Sequence, residues 1–519
     1  MSQVTRRELL LAGALCAVPA ANAGAGTGTQ AAEAAAGGGA ASWAELCGLS
    51  AFELSQRIRA KQVSCAEVMT AHLRQIERYN PNVNAIVSLQ DGDALLTAAR
   101  ERDAQLARGE YLGWMHGFPH AVKDLAPTRG IRTSYGSPLL DGIPNYDAIF
   151  VERLRRNGAI LIGKTNAPEM GFGSQSYNPV FGTTLNAYDQ SRCAGGSSGG
   201  AAVALALRMV PVADGSDMMG SLRNPAAFNN VFGFRPSWGR VPSGDGELFL
   251  HTLSCDGPMG RSVRDVAMLL SVMAGPDARV PLAIEQPGEM FAGNLERTFR
   301  GTRLAWLGDL GGHLPMQAGV LELCQQSFAA FEALGCQIES AQPEFSPERL
   351  WSSWLTLRHA LSASGLAEFY RDPAKRSRLK PEIQWEVAGG LKLSALQLAQ
   401  ASTDRSEWYR AVEKLFTRFD FLLLPSAQVF PFDARVHWPR EIQGRNMDTY
   451  HRWMEVVIGP SLAGLPAMSV PVGFGPAGVP MGMQLIGAQH ADLAVLQLAH
   501  AYEQAAPWTR TQLPALLRS

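Results

Sequence analysis

The chemistry open to this chain rests on a few polar residues set in apolar or glycine-rich surroundings. Ser197 and Ser198 lie inside "AGGSSGGAAVALA", residues 194–206. Ser221 stands 24 residues beyond Ser197, in a second Gly/Ser turn, "GSDMMGS". Lys123 closes the apolar segment "GFPHAVKDL". A serine hydroxyl attacks a carbonyl only when a base takes its proton. A lysine ending an apolar strand can simply reach solvent. A buried one differs: desolvation disfavours the ammonium form and leaves a neutral amine able to act as a general base.

The glycine run admits four readings. A linker fits poorly, because "GGAAVALALRM" continues straight into an apolar helix. A phosphate-binding loop needs a lysine after the glycines, and none follows. Gly196-Ser197-Ser198-Gly199-Gly200 formally matches G-x-S-x-G, which would make Ser198 a nucleophile. That elbow needs a buried strand before it, whereas "NAYDQSRCA" is polar and turn-like. The fourth reading uses the downstream elements. A helix to Met209 of about ten residues advances roughly 15 Å, and a five-residue strand "VPVAD" covers roughly 17 Å. If the strand runs back along the helix, the two turns finish side by side. Ser197 and Ser221 then share a site at the carboxyl end of a strand, where ligands bind in open α/β sheets.

The elements that must hold these residues read as an α/β sheet covered by helices on both faces. "SCAEVMTAHLRQIERYNP" is a helix opened by the capping pattern Ser64-x-x-Glu67 and stopped at Asn80-Pro81. "GFPHAVKD" and "AILIGKTN" read as strands around the helix "DAIFVERLRRNG". "SVRDVAMLLSVMAG" is a helix, "RLAWLGD" a strand, "QAGVLELCQQSFAAFEALG" a helix and "FDFLLLP" a strand. "AMSVPVGFGPAGVPMGMQLIG" reads as two strands joined by a Gly/Pro turn. Helices dominate residues 345–455, which hold six of the eleven tryptophans: Trp351, Trp354, Trp385, Trp408, Trp438 and Trp453. Core packing accounts for them; a helical lid facing an apolar substrate is the alternative.

A 519-residue chain with 46% hydrophobic and 18% charged residues and a formal net charge of −1 is globular and nearly neutral. It offers no general attraction for nucleic acid or anionic membranes, so a small-molecule partner is expected. Residues 1–23 carry paired Arg6 and Arg7, an apolar run from Leu9, and a small-x-small ending at Ala21-Asn22-Ala23. This is the pattern of a cleavable export signal of the twin-arginine type, implying a periplasmic or secreted protein. The run is shorter than the roughly 20 residues needed to span a bilayer, so no stable membrane association is expected. Residues 24–41 read as a disordered Gly/Ala linker. Six cysteines follow the signal, with no C-x-x-C pair and no histidine at ligand spacing; isolated core thiols and no metal are expected.

Taken together, these segments resemble the amidase signature family. "GFPHAVKD" is similar to its lysine motif and "GKTNAPEMGFGSQSYNPVFGTTLNAYDQSRCAGGSSGG" to its central signature. "GSDMMGSLRNPAAFNNVFGFRPSWGRVP" resembles its nucleophile segment. "SCDGPMGRSVRDVAMLL" and "LAGLPAMSVPVGF…GVPMGMQLIGAQHAD" fit its downstream pattern. The similarity runs from about residue 45 to 510. It implies one catalytic domain, residues 42–519, built on a central mixed, mostly parallel twisted sheet. It further implies Lys123 as base, Ser197 as a relay after a cis peptide bond from Gly196, and Ser221 as nucleophile. Backbone N–H groups of Met218, Met219, Gly220 and Ser221 would bind the oxyanion, with Gly171 at the substrate pocket and no cofactor.

The implied reaction is hydrolysis of an amide through an acyl-enzyme; the tryptophan-rich segment favours a small apolar or aryl amide, and the oligomeric state, monomer or homodimer, is left open. The amidase subunit of a tRNA-dependent amidotransferase and a non-catalytic binding member of the fold are the alternatives. One residue departs from the family pattern. Met219 replaces the first of two usual glycines, so it must find an allowed backbone conformation or reshape the oxyanion hole.

Overall fold

The computed structural model describes residues 42–244 and 246–518, so the expected export signal and linker lie outside the described residues. Residues 42–519 form one compact unit. Its centre is an eight-stranded sheet of β1 (Ala213–Asp217), β2 (Phe232–Arg235), β3 (Cys255–Gly260), β4 (Arg303–Trp306), β5 (Gln337–Ser340), β6 (Phe421–Pro425), β7 (Ala467–Phe474) and β8 (Pro480–Gly487). The spatial order is β5-β4-β6-β8-β7-β2-β3-β1. The fold is α/β and the sheet is mixed, as expected, but it is not mostly parallel. Only β5–β4 and β4–β6 pair parallel; the other five pairings are antiparallel. The physical reason lies in the connections. The Gly/Pro turn after Phe474 folds β7 and β8 into a hairpin, which only antiparallel strands permit.

Lys123 belongs to a separate three-stranded sheet. Pro119–Lys123 pairs parallel with Ile160–Thr165, which pairs antiparallel with Ile86–Val87. A buried carboxylate joins this sheet to β1. Asp214 accepts from the Lys123 backbone N–H at 3.1 Å through one oxygen and lies 2.9 Å from His120 Nε2 through the other.

Local signals held in the helices. Ser64 and Glu67 form both halves of the capping box that opens helix Cys65–Val83. The helix continues past Asn80 because Pro81 sits in its last turn, and it ends at Asn84 in the left-handed region. The segment after the glycine run forms helix Gly199–Ala206, all eight residues buried. The strand that follows is Ala213–Asp217 rather than "VPVAD". Pairing with Cys255–Gly260 satisfies the backbone of "ADGSD", so tertiary pairing overrides the apolar look of Val210–Val212.

Four helices account for most of residues 345–416: Pro347–Arg371, Pro373–Arg376, Pro381–Gly390 and Ala395–Phe416. Trp351, Trp354, Trp408 and Trp453 are buried, Trp438 is half-buried and Trp385 is exposed. Among the described residues the six cysteines are free and buried. Among the described residues no helix is long and apolar enough to cross a membrane.

Candidate active site

The two glycine-rich turns do meet. The Ser198 N–H donates to the Ser221 carbonyl at 3.1 Å. Ser197 and Ser221 line one cavity of about 370 Å³, together with Gly171, Met218, Ser216, Phe172 and Arg358. Ser197 follows a cis peptide bond from Gly196. Gly171 has φ +78°, and a Cβ there would sit 3.0 Å from the Leu125 Cδ1 and 3.7 Å from the Ser197 hydroxyl oxygen. Its bare backbone therefore keeps space open beside Ser197.

Lys123 lies behind these turns, 1% exposed. Its Nζ is 2.8 Å from Ser197 Oγ, 2.8 Å from Ser198 Oγ and 2.9 Å from Ser216 Oγ. Burial pushes its pKa down to about 7, against the opposing pull of Asp256, Asp214 and Asp217. The amine is thus poised near neutrality, as a general base requires. Ser198 is fully buried, its hydroxyl faces Lys123 and the Ser216 carbonyl, and it does not line the cavity.

The turn carrying Ser221 is held from below by Asp217. Its carboxylate accepts from the Gly220 N–H at 2.9 Å and the Leu222 N–H at 3.1 Å. Arg223 grips it with Nε at 3.0 Å and Nη2 at 2.9 Å, and Arg235 donates to the Asp217 carbonyl. Burial alone would raise the Asp217 carboxyl, but the two arginines hold it well below the usual carboxylate range. The Gly220 N–H, expected with those of Met218, Met219 and Ser221 to face an oxyanion, donates to the Asp217 carboxylate in this structure.

Met219 resolves its own departure. Gly220 takes φ +77°, and a Cβ there would meet Val457 at 2.8 Å, so that position demands glycine. Met219 does not enter the positive-φ region. Its side chain is 4% exposed and packs into the hydrophobic core instead of the cavity. The methionine side chain therefore takes no part in the cavity wall.

The residues from 67 to 496 match the family model described as Amidase. The chain belongs to the amidase signature family. It is 32% identical over 465 residues to an acylamidase of Rhodococcus erythropolis, covering 89% of this chain and 96% of the relative. It is 33% identical over 475 residues to the glutamyl-tRNA(Gln) amidotransferase A subunit of Synechococcus, covering 87% and 95%. The solved structure of a bacterial aryl acylamidase of the amidase signature family superposes with TM-score 0.83 at 28% identity, covering 90% of this chain and 99% of that one. As a member of the family, the chain is an amidase-family hydrolase.

Sequence reading missed the polar cluster on the helical side of this amidase's cavity. Arg358 sits on the same face of helix Pro347–Arg371 as Trp351 and Trp354, at helical spacing. A charged residue on an otherwise buried stripe was the available signal. Its Nε is 2.5 Å from Glu386 Oε1, and its Nη2 donates to the Tyr450 hydroxyl at 2.7 Å. That hydroxyl donates to Glu386 at 2.7 Å, and His359 Nδ1 lies 2.7 Å from the other carboxylate oxygen. Burial would raise the Glu386 carboxyl, but Arg358 and His359 outweigh it and bring it to about 2. Burial pushes His451, beside this cluster, down to about 3, so it is neutral.

None of the six tryptophans lines the cavity that holds Ser197 and Ser221. Core packing is their role wherever they are buried, and no tryptophan lid speaks for an apolar substrate.

Proposed function

We propose that this amidase-family hydrolase cleaves a linear small-molecule amide through Lys123, Ser197 and Ser221. What carries the reading is the buried Lys123 amine, 2.8 Å from the Ser197 hydroxyl, behind a cavity that Ser221 also lines. A neutral lysine has two N–H donors and one lone pair. Ser198 and Ser216 take the two donors, which leaves the lone pair for the Ser197 proton. Ser197 in turn takes the proton of Ser221, whose oxygen attacks the carbonyl carbon. The N–H groups of Met218, Met219 and Ser221 stabilise the oxyanion, at about 3 kcal/mol per donor by analogy with other acyl-transfer enzymes. The proton passes back through Ser197 to the leaving nitrogen, the C–N bond breaks, and water then cleaves the acyl ester. No cofactor enters any step.

The test is labelling with a serine-reactive phosphonofluoridate, followed by peptide mapping beside an amide panel. Label is expected on Ser221, and Ser221→Ala is expected to lose at least about a thousandfold in kcat. Label on Ser198, or full turnover by Ser221→Ala, overturns the assignment.

The equal likeness to amidotransferase A subunits supports a second reading, the catalytic component of such an assembly. Amide turnover by the purified chain alone favours the free amidase; glutamine hydrolysis that appears only with partner subunits favours the other. We also propose export of the chain through its first 23 residues, a reading that rests on Arg6, Arg7 and the Ala21-Asn22-Ala23 ending.

A further inference from the structure

The polar cluster that holds Arg358 does more than fill the interior. Its guanidinium is 6% exposed at the residue level yet lines the same cavity as Ser197 and Ser221. Among the described residues it is the one permanently charged side chain on that lining. Three constraints fix its plane. Glu386 and Tyr450 hold Nε and Nη2 along one edge, and the Phe172 ring lies 5.0 Å from the guanidinium carbon. The remaining arm, Nη1, meets the Met218 sulfur at 3.0 Å. A thioether is a weak acceptor. Nη1 therefore presents donors to the cavity without a strong acceptor, in a buried setting where leaving such groups unmade is costly. Met218 belongs to the turn that carries Ser221, which sets this arm close to the reacting carbonyl.

We propose that Arg358 Nη1 is a substrate-recognition group that hydrogen-bonds a second acceptor oxygen on the acyl half of the amide, a neutral carbonyl in preference to a carboxylate. This rests on the amidase reading and names its substrate class. The neutral preference follows from Glu386, which already balances the guanidinium charge, so an added anion gains little net attraction. Cationic acyl groups meet no acidic partner on the lining and are disfavoured. The proposal replaces the plain apolar acyl group with one carrying a further carbonyl a few bonds from the scissile one.

The test uses three 4-nitroanilides with a common leaving group: butyryl, succinamyl (a neutral second carbonyl) and succinyl (a carboxylate). Affinities are measured by calorimetry in the Ser221→Ala protein, with and without Arg358→Met, so that binding is read independently of turnover. Succinamyl anilide is expected to bind at least about 10-fold more tightly than butyryl, the scale of a hydrogen bond to a charged group. The succinyl compound is expected to gain no more than the succinamyl. Arg358→Met is expected to bring the succinamyl-to-butyryl ratio within about 3-fold of unity. Should that variant not fold, Arg358→Lys, which keeps the charge and loses the planar fork, is expected to cut the same ratio.

A ratio near unity with Arg358 present, or one unchanged by either substitution, overturns the proposal. A succinyl compound that binds much more tightly than the succinamyl overturns the neutral preference and makes the subsite an anion site. Turnover is assayed separately with Ser221 intact. Selective binding without any hydrolysis would sink the amidase reading and leave the Arg358 subsite standing.

Discussion

Replacing Lys123 with methionine tests the buried base through stability as well as activity. In the unfolded chain a lysine keeps its proton up to 10.5; in the folded protein burial brings Lys123 down to about 7. Between these values the unfolded state holds more protons, so the stability of the Lys123 protein rises with pH. Below pH 7 both states are protonated and the whole cost of burying the ammonium is present. At about 1.4 kcal/mol per pH unit, that cost is on the order of 5 kcal/mol. Lys123→Met removes it, and also leaves Ser197, Ser198 and Ser216 without their nitrogen partner, a pH-independent loss. The diagnostic quantity is therefore the slope. Urea unfolding of the two proteins at pH 6 to 10 should give stabilities whose difference is constant below pH 7. Above it, the difference should shift in favour of the lysine protein by about 1.4 kcal/mol per pH unit.

In the proposed mechanism the same titration sets the pH dependence of turnover. The acid limb of kcat/KM should fall about tenfold per pH unit below 7, because only the neutral amine accepts a proton. Lys123→Met should abolish turnover across the range. Parallel stability curves between pH 7 and 10, or a kcat/KM that stays flat down to pH 5, would refute the idea that burial prepares Lys123 as a base.

Two further substitutions probe the turn that carries Ser221. Asp217→Asn leaves Arg223 and Arg235 without their buried counter-charge and weakens the grip on the Gly220 and Leu222 amides. The expected cost is about 3–5 kcal/mol in denaturant unfolding, with activity lost in whatever folds. Met219→Gly restores the family's usual pair of glycines but empties a core position. It should destabilise by about 2–5 kcal/mol, with no gain in kcat on any amide that the parent turns over. A stable, faster Met219→Gly enzyme would show that the methionine restricts the hole after all.

Much of the site was legible because its parts are local. The two Gly/Ser turns, their 24-residue separation and the lysine at the end of an apolar strand are short-range patterns. Backbone geometry converts such patterns directly into position: a buried helix and a returning strand bring residues 197 and 221 together. The helix caps and the Gly/Pro hairpin were readable on the same ground. The parallel majority expected for the sheet was not borne out. Strand pairing is set by which distant segments bury each other, and alternation of strands and helices leaves that open.

Other features belonged to the tertiary structure alone. That the Gly220 amide is spent on Asp217 depends on where a carboxylate points within its own turn. That Met219 faces the core depends on the space left there by neighbours from distant segments. Arg358 reaches the cavity from a helix more than a hundred residues downstream, and Glu386 and Tyr450 orient it from still further along the chain. Residue types and spacing thus determined which polar side chains could share one site. Burial, the partners of each buried charge and the cavity wall that carries Arg358 came only from long-range packing, because desolvation and hydrogen-bond satisfaction depend on every segment that closes over the site.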